Sequence, residues 1–146
     1  MTQVPVTSTG QIAFGTGLSV VDGGIKVTNA GVYRVSGSAY ISGGTSPYRR
    51  GVFLMYGADY SNTTEIVGTQ TSDTTSYSGG LNVGPKLVSL SANDIVFLCA
   101  RSSNGNGSVS GGNSATYLLV EQVASQGDAG IAQQLNYLPN ADITEY

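Results

Sequence analysis

The chain's 146 residues suffice for one domain with a real core, and 21 Gly, 9 Tyr and only 10% charged residues favour strands and flexible turns over helices. Six Lys and Arg against nine Asp and Glu give a formal charge of -3, with no cluster of bases to neutralise phosphates, which argues against a nucleic-acid partner. Histidine is absent, which removes Ser-His-Asp and Cys-His nucleophilic pairs and the commonest zinc ligand.

Residues 1–17 contain no charged side chain and are punctuated by Pro5, Gly10, Gly15 and Gly17. They read as an extended arm with a short strand near Ile12 to Phe14, ordered only against a partner surface. The opening MTQVPVTSTG lacks the basic start and apolar run of a secretion signal, so the protein is expected to fold in a cytoplasm. In LSVVDGGIKV two apolar runs flank Asp22-Gly23-Gly24, a tight hairpin signal. VYRVSGSAYIS then alternates, with Tyr33, Val35, Gly37, Ala39 and Ile41 on one face and Val32, Arg34, Ser36, Ser38 and Tyr40 on the other.

After a loop at Gly43 to Pro47, YRRGVFLMYGAD brings Val52, Phe53, Leu54, Met55 and Tyr56, a run without alternation. A weaker strand follows near Glu65 to Thr69, then the polar loop TSDTTSYSGG. LNVGPKLVSL is a strand pair or one interrupted strand, because Pro85 cannot donate to a ladder and belongs on an edge or at a bulge. The turn Ser91 to Asp94 feeds DIVFLCA, apolar on both faces, and the Gly/Asn/Ser loop RSSNGNGSVSGGNS leads to ATYLLVEQV, a further two-faced strand. The tail from Ala124 has spaced apolar residues without a strong period, and AGIAQQLN fits a helical turn or two. No repeat of 20 to 50 residues occurs, and short strands at roughly ten-residue spacing indicate a sandwich or barrel.

Residues 1–123 hold all six bases and six acids, while the last 23 residues hold Asp128, Asp142 and Glu145. A neutral body therefore carries an acidic tail. Cys99, alone in the chain, can form no internal disulfide and reads as a buried filler. No run of about 18 apolar residues suggests a membrane-spanning helix, and no membrane partner is expected. Asp59 and Glu65 flank an Asn/Thr-rich turn and read as loop solvation rather than a glycosidase pair. Asp22 and Asp94 read as turn-shaping residues, and Gly105, Gly107, Gly111 and Gly112 lack the GK[ST] and helix of a phosphate cradle. No enzyme activity, metal or cofactor is expected.

The order of signals resembles the jelly-roll heads of the tumour-necrosis-factor and complement-type globular superfamily. Gly31-Val32-Tyr33-Arg34-Val35 matches that family's strand of Gly, aromatic and alternating apolar residues. VSLSANDIVFLC fits its leucine, turn, acid and apolar strand, with Leu90 and Asp94 in those places, and ATYLLVEQV matches its closing strand after a Gly-rich loop. The match covers residues 10 to 123. Departures are the missing aromatic-glycine feature of the closing strand and the lack of a collagen-like or coiled-coil stalk before the domain. The resemblance implies a ten-strand sandwich that assembles as a compact trimer, of a kind common in bacteriophage virions. The fold expected is thus an all-β antiparallel jelly-roll over 18–123 with extended arms at 1–17 and 124–146.

One sandwich core absorbs only half the apolar side chains of the two-faced strands, and an exposed remainder would be a patch of the size found at interaction sites. Neighbouring subunits are expected to cover it at Phe53, Met55, Val96, Leu98, Leu118 and Val120; the alternative is that the arms fold back over it. Capsid or partner contacts are expected at the adjacent bases Arg49 and Arg50 and at Ile131, Leu135, Tyr137, Leu138, Ile143 and Tyr146 in the tail. These features add up to a non-enzymatic bacteriophage virion protein, a homotrimeric capsid decoration or cement protein bound to the major capsid protein on the outside of the head. The alternative is a tail-fibre or spike head that grips a host receptor or glycan through Tyr40, Tyr48, Tyr60, Tyr77 and the Asn/Ser loops.

Overall fold

The computed structural model describes residues 1–5, 17–42, 48–73, 79–103, 107–110 and 116–125. Among them are ten strands and no helix: β1 (Thr2–Val4), β2 (Leu18–Val21), β3 (Gly24–Val27), β4 (Gly31–Ser42), β5 (Tyr48–Gly57), β6 (Thr63–Asp73), β7 (Gly79–Leu90), β8 (Ile95–Ser102), β9 (Ser108–Ser110) and β10 (Tyr117–Ser125).

The hairpin at Asp22-Gly23 joins β2 to β3. Asp22 and Gly23 hold φ at 51° and 75°, the consecutive positive values that a type I′ turn requires and that suit the right-handed twist of the flanking strands. A side chain at position 23 would collide with Gln3 and Pro5, because Gln3 reaches over from β1 and donates from Nε2 to the Asp22 carbonyl at 2.7 Å.

The strands form two sheets. One has the order β2-β3-β8-β5-β6, with β1 pairing the stretch of β8 beyond β3; the other has the order β10-β4-β7, with β9 pairing the far end of β4. Every pairing is antiparallel. β4, β7, β9 and β10 lie in the smaller sheet while β5, β6 and β8 lie in the larger, so the β3–β4, β4–β5, β6–β7, β7–β8 and β8–β9 connections cross the sandwich in the jelly-roll manner, and β5–β6 and β9–β10 stay within one sheet.

The core lies between the sheets. β4 supplies Tyr33, Val35, Ala39 and Ile41, the inward set that its alternation predicts; β5 and β8 supply Val52, Leu54, Val96 and Leu98. Tyr33 keeps its polar end satisfied by donating to the Asn29 carbonyl at 2.6 Å. Gly37 leaves room for the facing layer, since a Cβ there would stand 2.9 Å from Leu98 Cδ1 and 3.3 Å from Leu54 Cδ2.

Several elements differ from the sequence reading. Thr2–Val4 is a strand of the larger sheet, with Val4 in the core, rather than part of an arm. The short strand expected at Ile12 to Phe14 lies outside the described residues, as does the helical turn expected in the tail. β6 is eleven residues long because it pairs with β5 along nearly its whole length, which compensates for its weak apolar pattern. β7 is one strand, and Pro85 lies on the edge of the smaller sheet beside a register irregularity opposite Val35 to Gly37, where its missing N–H costs no ladder bond. β10 runs to Ser125, two residues past the expected boundary.

Candidate functional site

β5 and β8 lie side by side in the larger sheet, and their alternate side chains divide between its two faces. Val52, Leu54, Val96, Leu98 and Ala100 enter the sandwich core. Phe53, Ile95, Phe97 and Cys99 form a second buried cluster on the outer face, packed with Val21, Met55 and Tyr60. The turn after β5 supplies part of this cover. One Asp59 carboxylate oxygen accepts the backbone N–H groups of Ser61 and Asn62 at 2.8 and 3.0 Å, and Asn62 Nδ2 donates to both carboxylate oxygens. A turn held this way sets the Tyr60 ring edge-on to Phe97, with centroids 5.7 Å apart and planes at 74°. The Tyr60 hydroxyl donates to the Met1 carbonyl at 3.2 Å.

This corrects the expected interface at these strands. Phe53 is buried within the single chain, its ring filling the space over Gly68 and Gly51, and Met55 is half-buried beside it. Val96 and Leu98 belong to the opposite face and keep no exposed surface for a neighbour. The sequence pattern showed that both faces are apolar, but a single tyrosine in a polar turn gave no sign that it would fold back as a lid.

The described residues contain no group of three or more His, Cys, Asp or Glu placed to hold a metal ion. Asp59 is occupied as a turn cap, and Asp94 likewise accepts from the Ser91 backbone N–H at 2.8 Å. Cys99 sits in the outer cluster, where burial pushes its thiol up to about 11, against the smaller opposing pulls of the Tyr60 hydroxyl and the chain's N-terminus. A thiol at such a pKa is a poor nucleophile at neutral pH. Because the folded thiol keeps its proton while an unfolded one ionises near 9.0, stability is expected to be intact below pH 9 and to fall between pH 9 and 11, by no more than about 2–3 kcal/mol. Burial raises Tyr33 and Tyr60 as well, and they add to alkaline loss in any variant that retains them. Denaturant titrations of wild type and Cys99→Ala across this window isolate the thiol: the variant should lose less stability, and identical slopes would contradict the assignment.

The outer face of the smaller sheet is different. Val32, Arg34, Ser36, Ser38 and Tyr40 of β4 face away from the core side, and directly opposed partners share a face, so Tyr117 (opposite Ser38), Leu119 (opposite Ser36) and Glu121 (opposite Arg34) stand there too. Tyr117 is 43% exposed, Leu119 46% and Val123, at the bulge of the same strand, 42%. On the other flank of β4, Leu87 stands half-buried opposite Arg34 and Asn82 opposite Ser38. Large apolar side chains on β10 thus form a ridge beside β4, whose Ser36 is half-buried and whose Val32 and Ser38 are buried within the chain itself. Arg34 and Glu121 close one end, with Nη2 and Nε donating to Glu121 Oε2 at 2.8 and 3.1 Å.

On β10 the expected interface residues have the opposite phase. Val120 is buried in the core and Leu118 packs against it, so the outward pair is Tyr117 and Leu119. Glu121 carried the missing signal, because a charged residue in an edge strand marks the wet face, and 117 and 119 share its parity.

The basic pair is also divided. Arg50 turns inward with Val52 and Leu54, is buried, and donates from Nη1 to the Gly79 carbonyl at 2.8 Å. Arg49 is exposed on the outer side, as the alternation of a strand demands of its neighbour. The base that shares a face with Arg49 is Arg101, on β8. The expected contacts at Ile131, Leu135, Tyr137, Leu138, Ile143 and Tyr146 lie outside the described residues, as do the side chains of Tyr48 and Tyr77.

No family model matches the chain, and no curated protein sequence matches it. Among solved structures, the fold is similar to that of Eiger TNF from S. frugiperda, with a TM-score of 0.56 at 16% sequence identity over 70% of this chain. The chain spans 66% of the length of that structure, just under two thirds. A likeness at this identity concerns the fold, a TNF-type jelly-roll head, and extends to nothing else.

Proposed function

We propose that the chain is a non-enzymatic assembly subunit, a bacteriophage capsid decoration protein that sits on the outside of the head as a homotrimer in contact with the major capsid protein. The observation that carries the assembly part is the ridge of Tyr117, Leu119 and Val123 on the outer face of the smaller sheet. Burying each such side chain is worth about 1.5–3 kcal/mol. The virion part is supported by the low charge, the neutral body and the acidic tail, which suit a subunit that lies along other proteins rather than one that binds nucleic acid.

Mixing the purified protein with bare, expanded phage capsids is expected to give saturable binding at a fixed ratio of protein to capsid. Labelled protein that ignores capsids and adheres to bacterial cells would instead favour a tail-fibre head. That second reading draws on Tyr40 and Tyr117 beside Asn82 on one face, since aromatic and amide groups together suit sugars. Tyr60, which the same reading included, is engaged with Phe97 and Met1.

A further inference from the structure

β3 covers the edge of β8 only in part. Lys26 and Ile25 pair with Ile95 and Val96, and the strand begins just after the Asp22-Gly23 turn. β1 takes up the same edge where β3 stops, with Val4 opposite Leu98, Gln3 opposite Cys99 and Thr2 opposite Ala100. The two short strands thus lie end to end along β8, although they are distant in sequence. β1 is three residues long, and among the described residues β8 is the only strand that it pairs with. Pro5 follows, exposed and without an N–H to extend the ladder.

The contacts that fasten this strand also fasten the cover of the outer cluster. Gln3 shares the outer face with Cys99, its directly opposed partner, and its Nε2 is held by the Asp22 carbonyl. Tyr60, edge-on to Phe97, donates to the Met1 carbonyl at 3.2 Å, and the Gln3 backbone N–H faces the same hydroxyl. Tyr60 therefore cannot swing away without giving up its bond to the residue beside β1, and β1 cannot leave without freeing the Tyr60 ring. β8 itself is held differently, since β5 pairs with all eight of its residues. A short strand with one neighbour gives up few hydrogen bonds on leaving, so it opens at a lower free energy than the sheet on which it lies.

We infer that β1 and Tyr60 form a latch over the outer apolar face of the larger sheet, opening together as one unit while both sheets stay folded. Closed, the latch seals Phe53, Phe97 and Cys99 within the chain. Open, it bares that cluster and leaves the Leu98 to Ala100 edge of β8 unpaired, which gives the molecule a second apolar surface that it hides while closed. The latch lies on the larger sheet, whereas the Tyr117–Leu119–Val123 ridge lies on the smaller one, and it does not rest on the assembly reading.

Cys99 reports on the latch, because it is the chain's single cysteine and a thiol reagent reaches it only when the cover is off. Labelling of the native full chain with an aromatic disulfide at mildly alkaline pH is expected to be slow and nearly independent of low urea concentrations, since local opening exposes little surface, and to steepen only where the sheets unfold. A urea dependence as steep as that of global unfolding from the outset would overturn the latch. Tyr60→Phe removes the bond to Met1 and is expected to speed labelling about two- to tenfold. Val4→Asp, which asks a carboxylate to enter the core, should release β1 and speed labelling by at least about a hundredfold, with the amide signals of β4, β5 and β7 in place. Tyr60→Phe added to Val4→Asp should then change nothing, because the strand that the ring was tied to has already left. An undiminished effect would mean two independent covers and overturn the single unit. Unchanged labelling in Val4→Asp would overturn it too, as would loss of the sheet signals in that variant, which would place β1 within the cooperative core.

Discussion

Phe97→Ala is expected to destabilise the folded chain by about 3–5 kcal/mol, and in the separated subunits of a Leu119→Asp background its unfolding midpoint should not depend on protein concentration. Phe97 is 0% exposed although it faces away from the sandwich core, and Tyr60, Ile95, Cys99 and Phe53 belong to the same cluster. Truncation removes the transfer free energy of the ring and leaves a cavity that a sheet on one side and a pinned turn on the other are poorly able to collapse. Tyr60 loses its edge-on partner as well, a contact worth about 0.5–1.5 kcal/mol beyond area burial. The concentration dependence is the discriminating readout. If neighbouring subunits rather than the chain itself sealed this face, the loss would appear as dissociation and the midpoint would climb with concentration.

Leu119→Asp is expected to do the reverse: it should dissolve the assembly and leave the fold intact. At 46% exposure and on an edge strand, the substitution costs the isolated chain no more than about 1 kcal/mol of strand propensity and packing. In an assembly closed through the β10 ridge, each copy forfeits about 1.5–3 kcal/mol of apolar burial and places a carboxylate where it has no partner, which costs more than the lost burial. Repeated in every subunit, this should drop the light-scattering mass to that of one 14.9 kDa chain, still folded and with a thermal midpoint that no longer depends on protein concentration. Leu119→Met, which conserves volume, should keep the assembly. Loss of fold in Leu119→Asp, or an assembly that persists, would remove the ridge from the account.

The layered fold was legible because β4 alternates cleanly, Asp22-Gly23-Gly24 admits little besides a hairpin, and the Leu90 to Cys99 stretch sets turn, acid and strand in order. Beyond that, local pattern ran out for identifiable reasons. In VFLM and IVFLC both faces are apolar, so periodicity establishes that each face needs a cover without saying what covers it. The answer came from Tyr60, a residue in a polar turn, held by the Asp59 cap. Arg49 and Arg50 looked like a patch because they are adjacent, yet adjacency in a strand guarantees opposite faces. Their true neighbours, Arg101 and Gly79, are about 50 and 30 residues away and were set by register. Ser108–Ser110 pairs with β4 inside what reads as a glycine-rich loop, because the Tyr40 to Ser42 edge lacks another partner there. The β10 ridge was within reach of the sequence, since Glu121 fixes its phase.

The mass of the intact protein in solution tests the central claim most directly. If copies of this chain seal the Tyr117–Leu119–Val123 ridge, light scattering should give a single species of about three times 14.9 kDa that resists dilution. A monodisperse 14.9 kDa particle at every concentration would mean that the ridge stays wet, and the chain would not be the assembly subunit described.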